Sequence, residues 1–557
     1  MPEKIFIGVA WPYASGPSHL GQIAGSILPA DIFARFHRVK GNEVLMVSGS
    51  DEHGTPITIK AEQENKTPKE LATSYHNIFI DVWQKLGITF DLFTSTETAN
   101  HARVAQDIFL TLLHNGYIYK ESMKQPYCDK CNRFLPDRYI EGKCPHCGFE
   151  PARGDQCDSC GHTLNPWELI NPHCRICGGT PEFKDSEHFM FKLSAFQDRL
   201  QEWVSKQKHW RLNVINATQR YLNEGLKDRA ISRDIEWGVP LPLPGYDGKR
   251  LYVWFEAVIG YLSASKEWAA HQGDPEKWQP FWTGDTKSYY FIGKDNIPFH
   301  TLIWPAILMG YDKGLNIPYD VPSNEFLTIE GKKVSTSRNW AVWAPDYLSR
   351  YDPDPLRYVL TANMPEAGDT DFSWREYVRR NNDELVATYG NLANRVLTFV
   401  YKNYDGVVPV PGEYDSRSRD LLDKVQDTFK RMDELLSACH FKEAIWAAMT
   451  LAQEGNRYLD EKSPWKLIKQ DKQAAATPLY VTIVVLAALR TMFYPFLPFS
   501  SLRLSEYLGF DGNIEVDGWQ LRMPIPGQNL VVPKPLFLKL EEKIIEEETA
   551  RIGTPSL

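Results

Sequence analysis

The 557-residue sequence predicts an α/β protein: an open parallel sheet in the first half, broken by a cysteine-rich insertion, then an all-helical second half. Three observations carry that prediction. Apolar runs at 5–9, 45–47 and 289–292 each empty into polar and glycine residues, the pattern of buried parallel strands with a ligand site beyond their C-terminal ends. Eight of the nine cysteines fall in CxxC pairs between positions 128 and 177. From Glu384 onward, helix-period apolar spacing runs for over a hundred residues with short polar connections, which reads as a helix bundle.

The first run, Ile5-Phe6-Ile7 with Val9, is followed by Trp11-Pro12-Tyr13 and a Ser/Gly/Pro turn. An amphipathic helix over about 20–40 comes next, so His19 and Gln22 stand where a strand gives way to a helix N-terminus. Unpaired backbone N–H groups and the helix dipole there favour phosphate. Neither GxGxxG nor GxxxxGK[ST] occurs, so an ordinary dinucleotide site or P-loop is unsupported. The second run ends in Ser48-Gly49-Ser50-Asp51-Glu52-His53-Gly54 and the third in Gly293-Lys294-Asp295. Helix periodicity at 67–86 and 96–116 completes half of the sheet domain.

Composition bounds the rest. This length suggests three or four domains, and an apolar fraction of 43% with 24% charged residues is that of a globular protein. A net charge of −9 argues against a general nucleic-acid binder and against DNA, while leaving room for RNA on a local basic surface. The N-terminus lacks a signal-peptide h-region, and the late apolar run at 479–489 suits a buried helix better than a membrane span. Paired cysteines without export signals indicate metal binding in a reducing cytoplasm. Each CxxC presents two thiolates on one turn, and two turns complete a four-thiolate zinc site, so Cys128/Cys131, Cys144/Cys147, Cys157/Cys160 and Cys174/Cys177 predict two structural zincs. Sequence distance permits either neighbouring or nested pairing.

The expected organisation follows. A sheet domain split as 1–117 and 229–325 surrounds an insertion at 118–228; a connecting region at 326–383 holds a lysine/serine loop, GKKVSTS. A bundle at 384–510 is followed by a tail at 511–557, in which 536–551 reads as one charged helix.

HLGQ at 19–22 and KVSTS at 333–337 resemble the HIGH and KMSKS signatures of class I aminoacyl-tRNA synthetases. AWPYASGPSHLG, SGSDEHGTPI, YVWFEAVIGY, YFIGKDNIPFH and NRYLDEKSPWKL resemble the methionyl-tRNA synthetase family in particular, in the family's order and over most of the chain. The resemblance implies a Rossmann-like catalytic domain, a KMSKS-like loop and an anticodon-binding bundle. It implies nested zinc sites, Cys144, Cys147, Cys157 and Cys160 inside Cys128, Cys131, Cys174 and Cys177. It also implies a two-step reaction, adenylation of L-methionine by Mg²⁺-bound ATP and transfer to the terminal adenosine of a methionine tRNA. No covalent enzyme intermediate is needed, so catalysis rests on positioning and on stabilising charge at phosphate.

Residue by residue, the resemblance makes His19, Gln22, Lys332 and Lys333 catalytic. Gly21, Gly293, Asp295 and Thr336 join His19, Gln22 and Lys333 around ATP, with Gly21 leaving room for adenine and Asp295 accepting from ribose. Methionine is implied to meet Ala10, Trp11, Tyr13, Asp51, Trp254, Ala257, Val258, Tyr261 and His300, with Asp51 on its ammonium, Arg233 bracing Asp51, and Tyr261 and His300 near the sulfur. Asn391, Arg395 and Trp465 match positions that read a CAU anticodon, through an amide, a guanidinium and an indole suited to unpaired bases. Two positions depart from the pattern: Gln22 replaces the usual second histidine and cannot become cationic, and Thr336 replaces a lysine. No further RNA-binding or dimerising domain is seen, so a monomer is expected. The rivals are a class I synthetase for leucine, isoleucine or valine, which usually carries a larger editing insertion, and a catalytically impaired zinc-containing tRNA binder. A nicotinamide oxidoreductase lacks its glycine fingerprint.

Overall fold

The computed structural model describes residues 2–136, 139–154, 157, 159–160, 164 and 166–554. Its central sheet has five strands in the order Ser323–Asn324, Lys287–Gly293, Lys4–Val9, Glu43–Ser50 and Leu92–Ser95, every pair parallel. Parallel strands covered on both faces are apolar throughout, and Ile5, Phe6, Ile7 and Val9 are all fully buried. The chain starts at the middle strand, builds outward on one side, and returns on the other. The order therefore reverses between Lys4–Val9 and Lys287–Gly293, and a crevice opens beyond their ends. The expected helix after the first strand is one continuous rod of α-helix at Leu20–Gln22, π-helix at Ile23–Ile27 and α-helix at Leu28–Val39.

The insertion leaves the sheet as a long antiparallel ladder, Ile118–Cys128 against Glu182–Phe191, with Arg229–Ala230 pairing back onto Phe191 and Met190. Both junctions thus lie side by side. The far end carries the cysteines and a small sheet of Ala152–Arg153, Ile140–Lys143 and Ile170–Cys174. The cysteine core packs on Ile59, and Arg133 pairs with Glu62 at 3.1 Å, which seats this module on the Thr55–Gln63 helix just after Asp51.

The helical half is built on Ser416–Ser437, Phe441–Lys462 and Lys472–Phe493. The last is apolar and long enough to cross a membrane, but 94% of its apolar window is buried by its neighbours, which makes it the core helix of the bundle. One buried guanidinium joins the parts. Arg357, on the Pro353–Ala362 helix, pairs with Asp31 at 2.7 Å and donates to the carbonyls of Leu86, Pro495 and Phe496.

The terminal helix is shorter than its charge pattern predicts, covering Lys543–Arg551 rather than all of 536–551. Leu536 and Phe537 are buried, and the Asn381 and Asn382 side chains bond the backbone of Leu538 and Leu540, which lie outside any helix. Side-chain amides on the peptide groups compete with helix formation there. The helix packs back on the protein, with Glu548 accepting from Arg350 and Tyr351.

Candidate active site and metal centres

A cleft of about 560 Å³ opens where the central strands end. It is lined by every residue expected in catalysis or at methionine or ATP except Lys332 and Arg233. At its inner end, the Trp11 ring lies between two glycines. A Cβ at Gly49 would fall 2.5 Å from that ring and one at Gly260 2.8 Å, so both positions are closed to any side chain while the indole stays in place. The phenol of Tyr261 lies 2.7 Å from His300 Nε2, while His300 Nδ1 bonds the carbonyl of Asn296 at 2.8 Å. The second bond fixes the proton on Nδ1, so Tyr261 donates and His300 accepts. Burial holds His300 neutral, its pKa lowered to about 4. Their polar atoms therefore satisfy each other, and the pocket they close is more apolar than two free polar groups would make it. Trp254, 43% exposed, packs edge-on against Phe299 at the rim.

Asp51 lies at the mouth of this pocket. Burial and the nearby Glu256 carboxylate push its carboxyl well above the usual range, and its Oδ1 has no hydrogen-bond partner among the described residues. A buried carboxyl left open toward a cleft is costly unless a cation completes it. Arg233 does not do so here. It bonds the carbonyls of Ala230 and Ser232, stacks 3.7 Å over Tyr252, and lines a neighbouring cavity of about 230 Å³. The positive charge beside Asp51 belongs to His53.

At the outer end, His19 begins the helical rod. Burial lowers its pKa to about 4, so its imidazole is neutral. The Gln22 carboxamide oxygen accepts from the His19 backbone N–H at 3.1 Å, which leaves the amide N–H₂ as a donor. Gln22 thus closes the helix start as well as lining the cleft. A Cβ at Gly21 would meet the His19 ring at 3.0 Å, so this glycine leaves room first for the histidine. At Gly293 a Cβ would meet nothing within 4 Å.

The lysine/serine loop closes as a tight hairpin, Ser335 paired with Trp340, with Glu330 and Asn339 both at positive φ. After it, Trp343 pairs with His19 and the Leu20 N–H bonds the Val342 carbonyl, so the segment leaving the loop is bonded to the helix start. Lys333 and Thr336 face the cleft, and Lys333 is the one Lys or Arg among the described residues lining it. It sits 4.9 Å over Phe326 and bears on Asp295, whose carboxyl burial raises. Lys332 points away and stacks 4.3 Å over Trp340. Sequence reasoning missed Phe299 and Phe326 as lining rings and Trp343 as the partner of His19. Phe299 lies within YFIGKDNIPFH and Phe326 shortly before GKKVSTS, but only the fold turns their faces inward.

In the bundle, Arg395 stacks 4.8 Å over Trp465 and pairs with Asp460 at 2.7 Å; Asn391 starts the same Asn391–Asn403 helix one turn earlier. The structure brings these residues onto one half-buried surface. The cysteines form two groups, Cys128, Cys131, Cys174 and Cys177, and Cys144, Cys147, Cys157 and Cys160, each with its sulfurs within 4.8 Å of one another. The nested pairing is the one realised. Sulfur separations of 3.4 Å for Cys128–Cys177 and 3.9 Å for Cys144–Cys160 fit a tetrahedron with metal–sulfur bonds of about 2.3 Å. The N–H of Gly179 and the neighbouring sulfurs draw the Cys177 thiol down to about 7, toward the thiolate a metal needs.

Two family models match the chain: tRNA synthetases class I (M) over residues 5–397, and the anticodon binding domain of methionyl tRNA ligase over 408–556. A methionine–tRNA ligase of Dehalococcoides mccartyi is 65% identical over 553 residues, covering 99% of this chain and all of the relative. One from Thermomicrobium roseum is 52% identical and covers 99% of both. Among solved structures, Mycobacterium tuberculosis methionyl-tRNA synthetase in complex with methionyl-adenylate superposes with a TM-score of 0.81 at 26% identity, covering 96% of this chain and 99% of that one. On full-length similarity as well as fold, this chain belongs to the methionyl-tRNA synthetase family of class I aminoacyl-tRNA synthetases.

Proposed function

We propose that the cleft adenylates L-methionine with ATP and passes the methionyl group to the terminal adenosine of a methionine tRNA. The observation that carries this reading is that one cavity holds both an aromatic pocket with an open carboxyl and, at its other end, a helix start with one lysine. Methionine's thioether packs against Trp11, Tyr261 and His300, and its ammonium completes Asp51. Its carboxylate attacks the α-phosphorus of ATP and pyrophosphate leaves. A ribose hydroxyl of the tRNA then attacks the carbonyl and AMP leaves. His19 and the Gln22 amide donate to phosphate oxygens, Lys333 takes the departing pyrophosphate, and Asp295 accepts from the ribose. Mg²⁺ arrives on the triphosphate and neutralises part of its charge.

Zinc at both four-thiolate groups holds the knuckle module rigid beside the cleft mouth, where the tRNA end enters. Arg395, Trp465 and Asn391 read the CAU anticodon. Thiolates committed to zinc in place of disulfides fit a cytoplasmic protein, and a monomer is the expected state. ATP–pyrophosphate exchange driven by each of the twenty amino acids, without tRNA, tests the reading. Exchange with methionine alone supports it. Exchange with leucine or isoleucine overturns the pocket assignment, and silence in folded, zinc-loaded protein, with methionine tRNA added, overturns the chemistry.

A further inference from the structure

Behind Asp51 lies a buried cluster of acids and imidazoles that takes no part in the reaction outlined above. His53 is 2% exposed, with Nδ1 2.6 Å from Glu256 and Nε2 3.0 Å from Glu97. A neutral imidazole has one donor and one acceptor nitrogen, and an acceptor facing a carboxylate would be repelled. Two carboxylates on the two nitrogens therefore require both to carry protons. Burial opposes that charge, but Glu256 and Glu97 outweigh it and lift His53 to about 10.

The other charged groups around it are accounted for. Glu256, fully buried on the Val253–His271 helix, also receives His101 at 3.1 Å. Glu97 is bordered by Lys69 at 3.6 Å. Glu52 lies beside His76 and Ser50, and the Trp237 ring stands edge-on to His53. Of the groups acting on Asp51, Glu256 and Glu52 disfavour its ionisation, and the ring and backbone N–H of His53 favour it.

We propose that His53 is a positioning residue for amino-acid recognition. Its imidazolium, clamped between Glu256 and Glu97, offsets the acids around Asp51 so that Asp51 can ionise and receive the substrate ammonium. His53 does not line the cleft itself, so it acts only through Asp51. The inference rests on the methionine reading of the cleft.

The test compares ligands with and without an amine on the full-length, zinc-loaded protein. His53→Gln raises the methionine Kd at least ~10-fold, since each pKa unit added to Asp51 costs a factor of ten in ionised fraction. The Kd of 4-(methylthio)butanoate, which lacks the amine, stays unchanged, as does that of ATP, and kcat at saturating methionine is retained. The double variant His53→Gln/Glu256→Gln, which removes one charge of each sign, recovers most of the loss. Unchanged methionine affinity, an equal loss for the amine-free analogue, or no recovery in the double variant overturns the inference. If His53→Gln does not fold, ¹⁵N NMR of the His53 ring in the wild type decides: both nitrogens protonated at pH 8 supports it, and a neutral tautomer overturns it. Failure of the wild type to bind methionine would instead overturn the cleft reading.

Discussion

Replacing Gly260 with alanine separates the methionine pocket from the rest of the cleft. The added methyl would stand 2.8 Å from the Trp11 ring, against a carbon–carbon contact of about 3.5–4.0 Å, so the indole must move by roughly 1 Å. Retreat is blocked on another edge, where Gly49 lies so close that its own Cβ would fall 2.5 Å from the ring. Alanine in place of a helical glycine gains about 1 kcal/mol of helix propensity, and overpacking a filled site costs about 1–3 kcal/mol. Stability therefore changes by no more than about 2 kcal/mol in the unfavourable direction. Binding suffers more, because a displacement near 1 Å in a site that positions reactants costs up to about 100-fold. Pyrophosphate exchange at varied methionine and varied ATP measures it: the methionine KM rises about 10- to 100-fold while the ATP KM holds. A methionine KM within twofold of wild type, in protein of normal Tm, would show that Trp11 is no wall of the pocket.

Arg357→Met orphans Asp31 in part and leaves three buried carbonyls unpaired, so urea unfolding should show a loss of about 3–5 kcal/mol. The same cluster gives an acid signature. Although burial opposes its charge, Arg35 and Arg357 hold the Asp31 carboxyl at about 2 instead of 3.8. Its contribution of about 2 kcal/mol is present above pH 4 and is lost as pH falls through 2, a slope that Asp31→Asn should remove. Lys333→Ala should lower exchange by at least ~10²-fold through kcat, as removal of one preorganised donor does, whereas Lys332→Ala leaves kcat within about threefold because its ammonium sits on Trp340. Metal analysis should find two zincs per chain, and Cys144→Ser should retain one, with proteolysis confined to the knuckle module.

The sequence by itself determined the strands, the helical half and the eight thiolates, because each leaves a local trace, while most of the cleft residues followed from the family resemblance. Buried parallel strands are unbroken apolar runs, helices repeat at 3.6, and a CxxC turn presents its ligands whatever surrounds it. It also placed Trp11, Asp51, His19 and Asp295 in one site, since strand ends in an open sheet converge. What only the tertiary structure decided are relations between segments distant in sequence. Which CxxC turns share a metal depends on how the Ile118–Cys128 and Glu182–Phe191 ladder brings its ends together. That Lys333 faces the cleft and Lys332 does not turns on one hairpin and one indole. The cation that acts on Asp51 is a histidine two residues away, itself bonded to a glutamate more than two hundred residues further on. Charge balance inside a protein is set by burial and by neighbours in space, and neither is written in the spacing of a single chain.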